Sequence, residues 1–184
     1  MKELSLHILD ITKNSVSAGA AHIRLSLTET EDHVLTIVIA DNGRGMSPEF
    51  LARVTDPFTT TRTTRKVGMG IPLLMLAAEQ TGGSVTIVSR HEEDHPDDHG
   101  TVVTATFFTD HIDFTPIGDL VSTMETLIMG SPEIDFIFLH DMNGQTVELD
   151  TRQLREVLGE VPLDSYEVIQ WIGDFLREQY QPAQ

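Results

Sequence analysis

The chain has 184 residues, 40% of them hydrophobic, enough for one good core or for one domain with an appendage. Its formal net charge of -17 argues against nucleic acid and against an anionic membrane as partners, and the absence of cysteine removes disulfides, thiolate metal sites and cysteine nucleophiles together. The N-terminus carries Lys2, Glu3, Ser5 and Asp10 with no long apolar core, and no run elsewhere approaches a membrane-spanning length, so a cytoplasmic protein is expected.

Residues 3 to 17 read as a helix, with Leu4, Ile8 and Ile11 on one face and His7, Asp10 and Asn14 forming a polar stripe at spacings of three and four. Ile23, Leu25 and Leu27 then alternate with Arg24, Ser26 and Thr28, and after a polar turn the run Val34 to Ala40 is apolar almost throughout. This predicts a hairpin whose second strand is buried. Ser47-Pro48 opens a short helix through about Val54, since Ser caps well and Pro is tolerated at the first helical position. Residues 55 to 70 carry Thr, Gly and charge and read as an irregular loop. Pro72, the apolar run Leu73 to Ala78 and the stop at Gly82-Gly83 define a second long helix. Two strands follow, Ser84 to Arg90 and Thr101 to Phe108, joined by the acidic, His-rich loop His91 to Gly100.

From about Asp113 the pattern restarts. A helix at Ile117 to Met129, a strand at Asp135 to His140, an Asn143-Gly144 turn, a strand at Gln145 to Leu149 and two helices suggest a small αββαα module over 113–184, appended to a first domain over 1–112. The last helix, Asp164 to Tyr180, gathers Val168, Trp171, Ile172, Phe175 and Leu176 on one side for packing. The fold class expected is α+β, a two-layer sandwich with helices over one face of an antiparallel-rich sheet.

The hexapeptide Asp41-Asn42-Gly43-Arg44-Gly45-Met46 follows the second strand directly. Taken alone it is either ordinary turn chemistry or a ligand loop. A carboxylate only accepts hydrogen bonds, so Asp41 can receive an exocyclic amine such as that of adenine, while Gly43 and Gly45 let backbone approach a flat ring. Arg62, Arg65 and Lys66 crowd into five residues of an otherwise acidic chain, which suits either a solvated loop or one local anion such as phosphate. Gly68, Met69 and Gly70 ahead of Pro72 place free backbone N–H groups and a helix dipole at one point, a ready anion site.

Four motifs stand in order: Asp10-x-x-x-Asn14, Asp41-x-Gly43-x-Gly45, Asp56-Pro57-Phe58-Thr59-Thr60-Thr61-Arg62, and Gly68-x-Gly70-x-x-Leu73. This series resembles the N, G1, F and G2 boxes of the GHKL ATPases, the superfamily of gyrase, Hsp90 chaperones, histidine kinases and MutL, over about residues 3 to 108. Within it the chain is most similar to stand-alone ATP-binding proteins of the histidine-kinase or anti-sigma-factor-kinase type. The resemblance implies the Bergerat ATP-binding fold with ATP and Mg²⁺ as cofactors. It assigns nucleotide contacts to Asn14, Asp41, Gly43, Gly45, Met46, Phe58, Thr60, Arg62, Lys66, Gly68, Met69, Gly70 and Ile71, with Asn42 beside Met46 at the pocket floor. Asn14 is the expected metal ligand, because Mg²⁺ keeps waters and takes phosphate oxygens, so one amide oxygen from the protein is adequate. Asp10 is the expected catalytic residue, placed to orient or deprotonate an attacking water or hydroxyl. The family carries Glu there in hydrolytic members and anti-sigma-factor serine kinases and commonly Asn in histidine kinases; Asp is a shorter acid in the same place. Thr104, on the last strand of the domain, is expected to reach adenine directly or through water, as a strand Thr does in relatives.

His91, His95 and His99 fit no fixed metal spacing, and the expectation for their loop is a solvated hairpin tip. His91-Glu92 is also similar to a phosphoacceptor dipeptide, but its loop lacks the required amphipathic helix. The N box begins within the first ten residues, so the helical phosphoacceptor domain of a sensor kinase is not expected before it. The strand and helix that usually precede the N box in kinase-type members are likewise not expected, and the sheet edge this would leave is one that the C-terminal module can cover. The expected function is ATP-dependent transfer of the γ-phosphate to a separate protein partner in bacterial signalling, with a slow ATPase switch and a non-catalytic nucleotide sensor as alternatives. A homodimer is the candidate assembly.

Overall fold

A computed structural model describes residues 2–56 and 69–181 of the chain. Six strands, β1 (His22–Glu29), β2 (Val34–Asp41), β3 (Ser84–Arg90), β4 (Gly100–Phe108), β5 (Asp135–Met142) and β6 (Gln145–Asp150), form one sheet in the order β3-β4-β2-β1-β5-β6. Every neighbouring pair is antiparallel except β1 and β5, which run parallel. Six helices accompany it: α1 (Leu4–Ser17), α2 (Pro48–Thr55), α3 (Gly70–Gln80), α4 (Leu120–Gly130), α5 (Thr151–Leu158) and α6 (Tyr166–Tyr180). This is the expected α+β architecture. Among the described residues no helix is long and apolar enough to cross a membrane.

Strand alternation sets the layers. Ile23, Leu25, Leu27, Leu35, Ile37, Ile39, Val103, Ala105 and Phe107 are buried on one face and meet Leu4, Ile8 and Ile11 of α1 and Leu74 and Ala78 of α3 in a single core. The partners at the alternate positions, including Thr36, Val38 and Thr104, stay partly exposed on the other face. The expectation of a buried second strand therefore needs correction. β2 is central in hydrogen bonding, but helices cover only one of its faces, and the small apolar residues Val38 and Ala40 belong to the half-open one.

The segment 113–184 does not build a sheet of its own. β5 pairs in parallel with β1, His22 to Asp135 through Glu29 to Met142, and so covers the edge that the first 112 residues leave open. Its buried Phe136, Phe138, Met124, Leu127, Ile172 and Leu176 belong to the same hydrophobic cluster as α1 and β1. The crossing segment is pinned where α1 begins. Glu3 offers no side-chain cap, and the amides of Leu4 and Ser5 donate instead to the carbonyls of Pro116 and Ile117 at 2.8 and 2.7 Å. In α6, Val168, Ile172 and Leu176 are buried as expected, whereas Trp171 remains 48% exposed and stacks on Phe175 with ring centres 4.9 Å apart.

At the far end of the sheet, β1, β5 and α6 are tied through the buried His140. Its Nε2 lies 2.8 Å from Glu29 Oε1 and its Nδ1 2.9 Å from the Tyr180 hydroxyl. Glu29 only accepts, so Nε2 carries a hydrogen, and whenever the ring is neutral the phenol is the donor to Nδ1. Burial, followed by the nearby Glu29 charge, raises the Tyr180 pKa above its ordinary value and keeps that donor protonated.

Candidate nucleotide-binding site

A cavity of about 550 Å³ opens at the end of the sheet where β2 stops, within the size range of small-molecule sites. Asp41 is the last residue of β2, in register with Ile23 of β1 and Thr101 of β4. It shares the parity of the buried Ile37 and Ile39, so its side chain falls on the helix-covered face and lines the cavity. Ser15 of α1, itself buried, donates to Asp41 Oδ2 at 2.6 Å, and the Gly43 amide donates to Oδ1 at 2.9 Å. Each oxygen keeps a further lone pair, so the carboxylate is oriented without being saturated. Ile11, Met46, Phe50, Val54, Ile71 and Val103 supply the apolar walls.

The loop after Asp41 is held by packing that only glycine permits. Gly45 has φ +69°, and a Cβ there would fall 2.0 Å from the Arg90 carbonyl oxygen. A Cβ at Gly43 would press on Ala18 and on Asp41 itself, at 2.9 and 3.1 Å. Close approach to a ring was the sequence-based reason for these glycines. The structure adds that the loop must pass tightly over α1 and the end of β3. The Met46 amide donates to Ser89 Oγ at 2.8 Å, and that hydroxyl also lies 2.8 Å from Thr101 Oγ1.

The helical side of the cavity is formed by the last turn of α1 and the start of α3. Asn14 lines the cavity, and its amide makes no bond to a described residue. Ile71 lines it from the first turn of α3, which no side chain caps among the described residues. Asp10 is exposed one turn before Asn14, and Gly70 packs against it so closely that a Cβ would lie 3.3 Å from Asp10 Cβ. Met69 holds the N-cap position of α3 without a side-chain bond and is exposed. This side combines a helix N-terminus with an amide oxygen, a donor set suited to phosphate and to a metal that arrives with it. Among the described residues no group of three His, Asp or Glu is placed to hold a metal ion.

Of the residues expected at the site, Asn14, Asp41, Gly45, Met46 and Ile71 line one cavity and Gly43 orients Asp41, whereas Asp10, Met69 and Gly70 are not among its lining residues, Asp10 and Gly70 packing together beside Ile11 and Ile71, which are. Phe58, Thr60, Arg62, Lys66 and Gly68, together with Arg65, lie outside the described residues. Thr104 is corrected. It pairs with Val38 and Thr86 and points opposite to the buried Val103 and Ala105, away from the cavity; Thr101 is the β4 threonine that lines it. Asn42 is corrected too, since its side-chain oxygen accepts from the amides of Ala21 and His22 at 2.9 and 2.8 Å outside the cavity. His7 leaves the polar stripe: it is 2% exposed, its Nδ1 has no partner among the described residues, and burial, then the N-terminal charge, lowers its pKa. Ser15 and Thr101 were missed. Adjacency to Asn14 and the parity of β4 were the signals that pointed to them.

In fold the chain is similar to two solved domains. The Aquifex aeolicus MutL ATPase domain complexed with ADP matches with a TM-score of 0.55 at 13% identity, covering 86% of this chain and 69% of that one. The N-terminal domain of a DNA repair protein gives the same TM-score and identity over 82% of this chain and 53% of that one. The tetrathionate sensor histidine kinase TtrS of Salmonella typhimurium is 33% identical over 100 residues, 54% of this chain and 16% of that protein. A protein of Rickettsia prowazekii named for its likeness to the sensor histidine kinase NtrY is 25% identical over 67 residues, 36% of this chain and 11% of that one. The matched part thus spans between 11% and 16% of these relatives' lengths. Residues 2–111 match the model of the histidine kinase-, DNA gyrase B-, and HSP90-like ATPases, and with this fold around its cavity the chain belongs to that family.

Proposed function

We propose that the protein binds ATP with Mg²⁺ in the 550 Å³ cavity and transfers the γ-phosphate to a separate protein partner. The observation that carries the reading is the meeting in one cavity of an oriented carboxylate with an amide oxygen and an uncapped helix start. Asp41, fixed by Ser15 and Gly43 with lone pairs left over, receives the exocyclic amine of adenine. Asn14 and the uncapped first turn of α3 take the phosphates, and Asn14 supplies one oxygen to Mg²⁺. The metal, when bound with ATP, neutralises charge on the phosphates; the chain's own part is positioning. Asp10, exposed beside Gly70, is the group that accepts a proton from the attacking hydroxyl or water. The likeness to sensor histidine kinases and to a MutL ATPase domain complexed with ADP supports the nucleotide and leaves both chemistries in play.

A slow ATPase acting as a conformational switch is the second reading, favoured by the carboxylate at position 10 and by the breadth of the MutL likeness. Calorimetric titration of Mg·ATP and Mg·GTP into wild type and Asp41→Asn tests the pocket. Saturable ATP binding that the variant loses and GTP lacks is the expected result, and no binding to wild type sinks both readings. Incubation with γ-labelled ATP and extracts fractionated for acceptor proteins then separates them. Label on a second protein, lost with Asp10→Asn, supports the kinase; free phosphate released without any partner supports the switch.

A further inference from the structure

The loop joining β3 to β4 carries three histidines and five carboxylates between positions 91 and 99, a composition that suggests a solvated hairpin. Residues 92–98 are indeed exposed, but His91 and His99 at its two roots are withdrawn from solvent. Both roots are fastened to the loop that follows Asp41. The Glu92 amide donates to the Arg44 carbonyl at 2.9 Å, and His99 Nδ1 lies 2.6 Å from the Gly43 carbonyl oxygen. A carbonyl only accepts, so His99 Nδ1 bears a hydrogen in the neutral and in the charged ring alike, and this tie survives protonation. Gly43 also orients Asp41, so the hairpin and the base-reading carboxylate share one support.

His91 lines the cavity, with its side chain 21% exposed. Its place just past β3 sets it near Asp41 in the cavity. It stands two residues beyond Ser89, whose hydroxyl meets Thr101, and Thr101 is the register partner of Asp41. The Glu93 amide approaches His91 Nδ1 at 3.4 Å, which leaves Nε2–H as the ring's remaining donor. Asp41 can only accept, and a nucleoside presents ring nitrogens and ribose oxygens that need a donor. We propose that His91 is a further nucleotide-binding residue, supplying an Nε2–H donor to the base or ribose, with His99 positioning the hairpin that carries it. This rests on the nucleotide reading of the cavity and extends it to a loop that the sequence marks as solvent-facing.

The test compares Mg·ATP and Mg·ADP titrations into wild type, His91→Ala, His91→Gln and His95→Ala, the last a control on the exposed part of the same loop. His91→Ala is expected to weaken ATP and ADP alike by about fivefold to tenfold, because the contact is to the nucleoside and not to the terminal phosphate. His91→Gln, which retains a donor, recovers part of the loss, and His95→Ala binds as wild type. Unchanged affinity in His91→Ala, or a loss confined to ATP, overturns the inference while leaving the pocket intact. Failure of the wild type to bind either nucleotide overturns the pocket reading and this inference with it.

Discussion

The two ends of the sheet are built to opposite rules. At one end Asp41, Asn14, His91 and the first turn of α3 converge on a cavity with hydrogen-bonding capacity left unused. At the other, both nitrogens of His140 are occupied, by Glu29 and by Tyr180. A satisfied buried network rigidifies a fold, whereas an oriented group with a free lone pair is a cost unless a ligand completes it. Changes at the first end should therefore act on ligand affinity, and changes at the second on stability.

The largest separation is expected from Asp41→Asn. Loss of a charged acceptor should weaken ATP by about tenfold to a hundredfold with little change in melting temperature, read by titration and thermal melting on one preparation. A drop in stability large enough to explain the affinity loss would erase the contrast. His140→Ala should do the reverse. Leaving Glu29 and Tyr180 unpaired costs about 1–3 kcal/mol of unfolding free energy by urea denaturation, and ATP affinity should hold. Ser15→Ala lies between. It removes one of the two bonds that orient Asp41 and should weaken ATP about threefold to tenfold, with the Asp41→Asn background abolishing its effect in a double-mutant cycle.

The smallest effect falls outside both hydrogen-bond networks. Asp119 caps α4 by accepting from the Ser122 amide and hydroxyl at 2.9 and 2.6 Å, and those bonds hold its carboxyl below the ordinary carboxylate range. A folded-state pKa below the unfolded one stabilises the protein above the unfolded value, and that contribution disappears as pH falls through the folded value. Asp119→Ala should cost about 1 kcal/mol at pH 7, and the gap in melting temperature between wild type and variant should close on acidification. A gap independent of pH would assign the cap to the aspartate's shape instead of its charge.

Local patterns made most elements legible. The Ser47-Pro48 start of α2 is capped as the residues demand, with Ser47 accepting from the Phe50 amide, and the Asn143-Gly144 turn joins β5 to β6. The motif order was legible too, because Asp41 and Asn14 are read by type and spacing, and the structure brings them to one cavity. Thr104 shows where that kind of reading stops. Threonine suits any strand position, and only its parity against Val103 and Ala105 tells which face it occupies. The acidic hairpin was legible in its exposed middle and not at its roots, since composition does not report which residues touch another segment.

By itself the sequence determined the helix and strand periods, the caps and turns, and the carboxylate, amide and glycines of the binding motifs. These are properties of neighbours along the chain, set by side-chain spacing and backbone permission. Only the tertiary structure decided that the C-terminal hairpin extends the first sheet through a parallel pairing with β1, that Ser15 aims Asp41, and that Thr101 and His91 share its cavity. Those depend on which strands meet and in what register, and long-range pairing leaves almost no trace in the residues that take part.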